Sequence, residues 1–205
     1  MGNRKNTGAA ALDQLLGEIR ACRICAAHLP LGPRPVVQAS ATSRLLIVSQ
    51  APGRKVHETG IPFNDVSGDR LREWMGIDKT TFYDASRIAI VPMGFCFPGT
   101  GKGGDLPPRP ECAPTWHPRL LPLLKQVELT LVIGQYAQAG LLGVKRGTKL
   151  TDTVQAWREH LARGHLPLPH PSPRNRLWLA RNPWFEEELL PVLRERVASA
   201  LHMAR

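Results

Sequence analysis

The sequence predicts an α/β fold in which a parallel sheet lies between layers of helices. Four short, strongly apolar segments, Leu45–Val48, Ile88–Val91, Leu129–Ile133 and Leu166–Pro169, have the length and composition of strands buried on both faces. Segments with helical spacing alternate with them, which is the order that parallel sheets require. The chain has 205 residues and no internal repeat, so one domain with a full core accommodates it.

Taken in order, Leu12, Leu15, Leu16 and Ile19 recur at helical spacing and lead into Cys22 and Cys25. Residues 29–37 are broken by proline and extended. The strand at 45–48 is stopped by Gln50-Ala51-Pro52-Gly53, because proline lacks a ladder donor and glycine permits an unusual turn. After a polar loop, Gly60-Ile61-Pro62-Phe63-Asn64-Asp65 brings back an aromatic ring and a carboxylate. Ser67 or Asp69 is expected to cap a helix over about 69–75 that carries Leu71, Trp74 and Met75. Pro92 ends the second strand, and the Gly/Pro-rich segment 94–110 is expected to hold no regular structure.

A helix over 113–125 is expected to be kinked or broken by Pro118 and Pro122. The third strand closes at Gly134, and a helix from Gln135 to Leu142 ends at Gly143. Thr151 is expected to cap a helix to Arg163 with Val154, Trp157 and Leu161 on one face. The fourth strand delivers His170-Pro171-Ser172-Pro173. Asn182 and Pro183 then start a last helix with a stripe of Phe185, Leu189, Leu193, Val197 and Leu201, bent at Pro191.

Composition narrows the function classes. The formal charge is +10 and the isoelectric point about 10.1, which favours a polyanionic partner. The basic residues are scattered, unlike those of a disordered basic tail. Hydrophobic content of 42% is ordinary for a globular protein. No apolar run approaches the roughly 20 residues of a membrane span, and the N-terminal sequence lacks the apolar core of a signal peptide. A cytoplasmic protein with no membrane partner is expected. The Gly101–Gly104 stretch follows no strand and opens no helix, so it is no dinucleotide fingerprint.

The four cysteines are Cys22, Cys25, Cys96 and Cys112. In a reducing compartment disulfides are disfavoured, which leaves a metal site or buried thiols. A zinc ion on four thiolates and a [4Fe–4S] cluster both satisfy a convergent set, and the wide second spacing is unlike a zinc ribbon.

In open α/β sheets ligands sit beyond the carboxyl ends of the strands, where Gln50–Gly53 and His170–Ser172 fall. With the cysteines, Gln50-Ala51-Pro52-Gly53, Gly60-Ile61-Pro62-Phe63 and His170-Pro171-Ser172 in this order, the sequence resembles the uracil-DNA glycosylase superfamily, in particular its iron–sulfur (family-four) branch. The likeness runs from about residue 20 to 195, and SQAPG is an atypical form of that branch's GEAPG motif. It implies one domain over 1–205, with the N-terminal helix and first cysteine pair in 1–43 and the α/β core in 44–205. It further implies a three-layer α/β/α sandwich around a four-stranded parallel sheet, with a [4Fe–4S] cluster on Cys22, Cys25, Cys96 and Cys112; structural zinc is the alternative.

The implied activity is DNA repair: a monomer that flips uracil out of single- or double-stranded DNA and hydrolyses its N-glycosidic bond. Phe63 would stack on the base, Gln50 and Ala51 would line its pocket, and His170 would donate to its O2. Asp65 is the carboxylate of the motif suited to orient water or stabilise a cationic sugar. Ser172, Arg174, Asn175 and Arg176 fall in the loop that contacts DNA, with Leu177 as a wedge.

The sequence departs from the pattern. Gln50 stands for a Glu, and Ala51 stands where other branches carry a catalytic Asp or Asn. Pro92 takes the place of an Asn that reads the uracil edge, which leaves Asn64 as the expected reader. The basic insertion of the covalently trapping branch is absent. The alternative is therefore a non-catalytic binder of uracil-containing or abasic DNA with the same fold.

Overall fold

The computed structural model describes residues 3–145 and 147–202, with side chains from residue 8 onward. Strands β1 (Leu45–Val48), β2 (Ile88–Ile90), β5 (Leu129–Ile133) and β6 (His165–Leu168) form one parallel sheet in the order β2-β1-β5-β6. Strands β3 (Thr100–Gly101) and β4 (Gly104–Asp105) make a separate antiparallel hairpin. The helices are α1 (Asn3–Arg20), α2 (Arg54–Thr59), α3 (Val66–Met75), α4 (Lys79–Tyr83), α5 (Cys112–Leu120), α6 (Gly134–Leu141), α7 (Leu150–Gln155), α8 (Trp157–Leu161), α9 (Arg176–Arg181) and α10 (Leu190–Ala200). None among the described residues is long and apolar enough to cross a membrane.

The strand period of two divides the apolar runs between two cores. Leu45, Ile47, Leu129, Leu131 and Ile133 face a core completed by α3, α7 and α10. Leu46, Val48 and Val132 face the opposite core, completed by α1, α5 and α6. Two cores on the two faces of one sheet make the chain a three-layer α/β/α sandwich. Each large side chain buried there contributes about 1.5–3 kcal/mol, so the continuous apolar runs set the layering.

Both sheet edges are managed. Pro167, which has no N–H to donate, is tolerated because β6 is an edge strand. At the other edge Gln38 exchanges backbone hydrogen bonds with Ile90 (3.1 and 2.7 Å), and its side-chain amide donates to the Ile88 carbonyl at 2.9 Å.

Several local expectations are corrected. Helix α3 starts at Val66 and is capped by Asp65, whose Oδ1 accepts from the Gly68 N–H at 2.9 Å, so neither Ser67 nor Asp69 is the cap. The 94–110 segment does contain regular structure, the β3–β4 hairpin, whose second strand opens at Gly104 with a φ of +123° that other residues resist. The 151–163 helix is two helices divided at Ala156, and Thr151 lies inside the first, with its hydroxyl accepting from Trp178 Nε1 at 2.8 Å. Helix α5 ends at Leu120 and passes into a 3₁₀ turn containing Pro122. In the last helical run a π-turn, Phe185–Leu189, precedes α10, and Pro191 sits in the first turn after it. Helices α2, α4 and α9 are additions to the expected set.

Candidate active site and cysteine cavity

Because the four sheet strands are parallel, their carboxyl ends open on the same side. They deliver Ser49-Gln50-Ala51-Pro52-Gly53 from β1, Pro92 from β2, Gly134-Gln135 from β5 and His170 from β6 to one cavity of about 480 Å³. The β1 and β2 loops are joined by main-chain bonds, Met93 N–H to the Ser49 carbonyl (2.8 Å) and Gly94 N–H to the Gln50 carbonyl (2.9 Å). A Cβ on Gly94 would meet Pro108 at 2.9 Å and Ala51 at 3.5 Å, so the strap lies flat against the pocket wall.

Phe63 and Asp65 enter from the loop before α3. Phe63 has φ +53°, a left-handed conformation that bulky side chains rarely adopt. The turn is held by the edge-on Phe63–Phe82 pair, with centroids 6.0 Å apart, and by α3 itself. A Cβ on Gly68 would stand 1.8 Å from the Phe63 carbonyl oxygen. Glycine in a helix normally costs about 1 kcal/mol relative to alanine, and here overlap outweighs that gain. Gly68→Ala should therefore destabilise by about 3 kcal/mol or more in urea melts. Gly17→Ala in α1, with open space around the new methyl, should be neutral or stabilising by up to about 1 kcal/mol. Similar melts for the two variants would contradict this.

Asp65 uses Oδ1 in the cap and turns Oδ2 toward the cavity, 3.9 Å from a Cβ built on Gly53. Asp105 of β4 approaches the same point, its Oδ2 at 3.3 Å. Gly53 thus lies beneath two carboxylates. His170 lies beside Gly134, whose φ of +80° is a backbone conformation that favours glycine. Burial lowers the His170 pKa from its ordinary value, while Asp65 and Asp105 pull in the opposite direction. The net lowering keeps the imidazole neutral at physiological pH, with one N–H to donate. The Asn175 side-chain amide donates to the His170 carbonyl at 2.6 Å and fixes the loop that carries it.

Of the residues singled out in the sequence, Gln50, Ala51, Phe63, Asp65, His170, Ser172, Arg174 and Asn175 line this cavity. Asn64 and Arg176 do not. Asn64 directs its main-chain N–H to Ile61 (3.3 Å), and Arg176 is exposed at the start of α9. Ser172 caps its own turn by accepting from the Arg174 N–H at 3.3 Å. Arg174 donates to the Gly103 carbonyl at 3.0 Å and so braces the hairpin. Sequence reasoning missed Gln135, Ser49 and Asp105 as lining residues. Asp105 carried one signal: it is the only acidic residue between Cys96 and Glu111.

A second, smaller cavity is lined by all four cysteines, with apolar walls from Leu29, Pro33, Pro35, Phe95 and Trp116. All four are free thiols. Cys22 follows α1, Cys25 precedes a short turn, Cys96 lies in the strap beyond β2 and Cys112 opens α5. The Phe95 N–H donates to Cys112 Sγ at 3.3 Å, a contact that favours thiolate. Burial nevertheless pushes Cys96 up to about 11 and Cys112 up to about 12, and proximity of the other cysteines pushes the same way. Only a cation would hold such a set as thiolates. Among the described residues no group of three or more His, Cys, Asp or Glu is disposed to hold a metal ion. Along the sequence, residues 36–194, well over half of the chain, match the family described as the Uracil DNA glycosylase superfamily, and the chain belongs to that superfamily.

Proposed function

We propose that this protein excises uracil from DNA by hydrolysing the N-glycosidic bond and leaves an abasic site. The observation that carries the reading is the convergence of Phe63, Asp65 and a neutral His170 on one strand-end cavity. A base-excising enzyme needs a face to stack the flipped base, a donor for the charge that develops on it, and a carboxylate near the sugar. Phe63 supplies the face. His170 N–H donates to uracil O2 as the bond lengthens, and the Asp65 carboxylate stabilises the cationic sugar and orients water. Gln50 and Gln135, both on the cavity wall, carry the amide groups that complement a uracil edge.

The net charge of +10 supports a DNA partner. Arg174 lines the cavity and Arg176 is exposed at the start of α9, both available to phosphate, and Leu177, 70% exposed on α9, is suited to fill the stack that the base vacates. With structural zinc as the alternative, the four cysteines that line the second cavity would hold a [4Fe–4S] cluster. Its contribution would be structural, tying the end of α1 to the 96–112 segment.

Two observations favour a non-catalytic binder of uracil-containing or abasic DNA. Ala51 offers no polar group, and Asp65 also serves as a helix cap. Asp65→Asn separates the two readings, because asparagine keeps the cap but not the charge. Release of free uracil from labelled DNA by the wild-type protein, slowed about 10²-fold or more in the variant, is the expected result. A variant within twofold of wild type would leave Asp65 only its cap.

A further inference from the structure

The segment between Cys96 and Cys112 projects a carboxylate into the cavity that no motif of the chain accounts for. Resting on the excision reading, we propose that Asp105 is a second catalytic carboxylate and takes the proton of the attacking water. Three observations carry this. Asp105 Oδ2 and Asp65 Oδ2 lie within 4 Å of one point above Gly53, at 3.3 and 3.9 Å. Asp65 has one oxygen occupied by the Gly68 N–H, whereas Asp105 is exposed and serves no cap or ion pair among the described residues. Ala51, at the end of β1, leaves the cavity without a carboxylate of its own on that strand.

The hairpin that carries Asp105 is held in place. Leu106 N–H bonds to the Gly99 carbonyl at 2.8 Å, and Arg174 bonds to Gly103. The Arg174 guanidinium occupies the space that a side chain at Gly104 would need, 1.5 Å from a built Cβ. The hairpin is thereby fastened to the His170–Asn175 loop, so the base donor and the carboxylate keep a fixed relation.

In the reaction the C1′–N1 bond breaks and its electron pair leaves on the base, whose O2 accepts the His170 N–H. Water forms the new C1′–O bond and passes its proton to Asp105. That proton then goes to the departing base anion or to solvent, and the carboxylate is restored. Asp65, fixed by its cap, faces the cationic sugar.

The test uses the full-length protein with its cluster and compares wild type with Asp105→Asn, an exposed and isosteric change. Single-turnover uracil excision should slow about 10²-fold. Oligonucleotides carrying a positively charged pyrrolidine abasic analogue or a neutral tetrahydrofuran analogue give an independent readout. Wild type should prefer the cationic analogue by about tenfold or more, and Asp105→Asn should weaken that preference at least about threefold, the remainder being held by Asp65. Where wild type excises uracil, the variant's rate decides, and a rate within twofold of wild type overturns the role of Asp105. Where wild type excises nothing, the analogue preference decides. Its weakening in the variant keeps Asp105 at the sugar while the excision reading fails, and an unchanged preference overturns the proposal.

Discussion

His170→Ala should slow single-turnover uracil excision by about 10²–10³-fold, the usual cost of removing a donor to a developing anion. Affinity for uracil-containing DNA should stay within a few-fold of wild type. The imidazole is kept neutral by burial, so its N–H donation matters most when charge builds on the base. Phosphate contacts, which dominate DNA affinity, come from other residues. The position is also tolerant of the change: Asn175 holds the His170 backbone carbonyl rather than the ring. Alanine therefore removes the donor and leaves the loop. A variant with near-wild-type rate would remove His170 from the mechanism, and one with lost affinity and unchanged rate would make it a DNA contact.

Cys96→Ser should abolish any brown chromophore, with loss of bound iron and sulfide, and lower the melting temperature by roughly 10 °C. That shift corresponds to about 3 kcal/mol or more for a chain of this size. The four cysteines come from the end of α1, the strap after β2 and the start of α5, three segments that a shared centre would tie together. Cys96 and Cys112 bracket the segment that carries Asp105, and Gly94, two residues before Cys96, is bonded to the Gln50 carbonyl. Loss of a centre held by these cysteines should loosen the pocket wall together with the hairpin, so excision should fall as well. Retained iron and colour in the variant would rule out the four-thiolate assignment. A colourless wild-type protein containing zinc would replace the cluster with a structural ion.

The parallel sheet was legible because four apolar runs must be buried on both faces, and burial dominates the choice between layer architectures. The strand-end positions of Gln50, Ala51 and His170 followed from the same runs. Asp65 was visible as a carboxylate near Phe63, but its cap was assigned to Ser67 or Asp69. The helix starts earlier than its buried apolar stripe does, with Gly68 packed against the Phe63 carbonyl. That contact depends on a left-handed Phe63, which sequence does not announce. Asp105 was missed for a related reason. Its place in the cavity comes from a two-residue hairpin and from the Arg174 brace, which links residues 71 positions apart. Asn64 had the right chemistry for a base edge and lies outside the cavity lining, whereas Gln135, just past β5, lies within it.

The most direct test of the central claim is single-turnover incubation of the purified, iron-replete protein with oligonucleotides that each carry one uracil, hypoxanthine, xanthine or mispaired thymine. Abasic sites are scored by alkaline strand cleavage. Cleavage at uracil, abolished or strongly slowed by His170→Ala, is the predicted result. An intact uracil oligonucleotide that stays tightly bound to the protein would contradict excision and establish the binder.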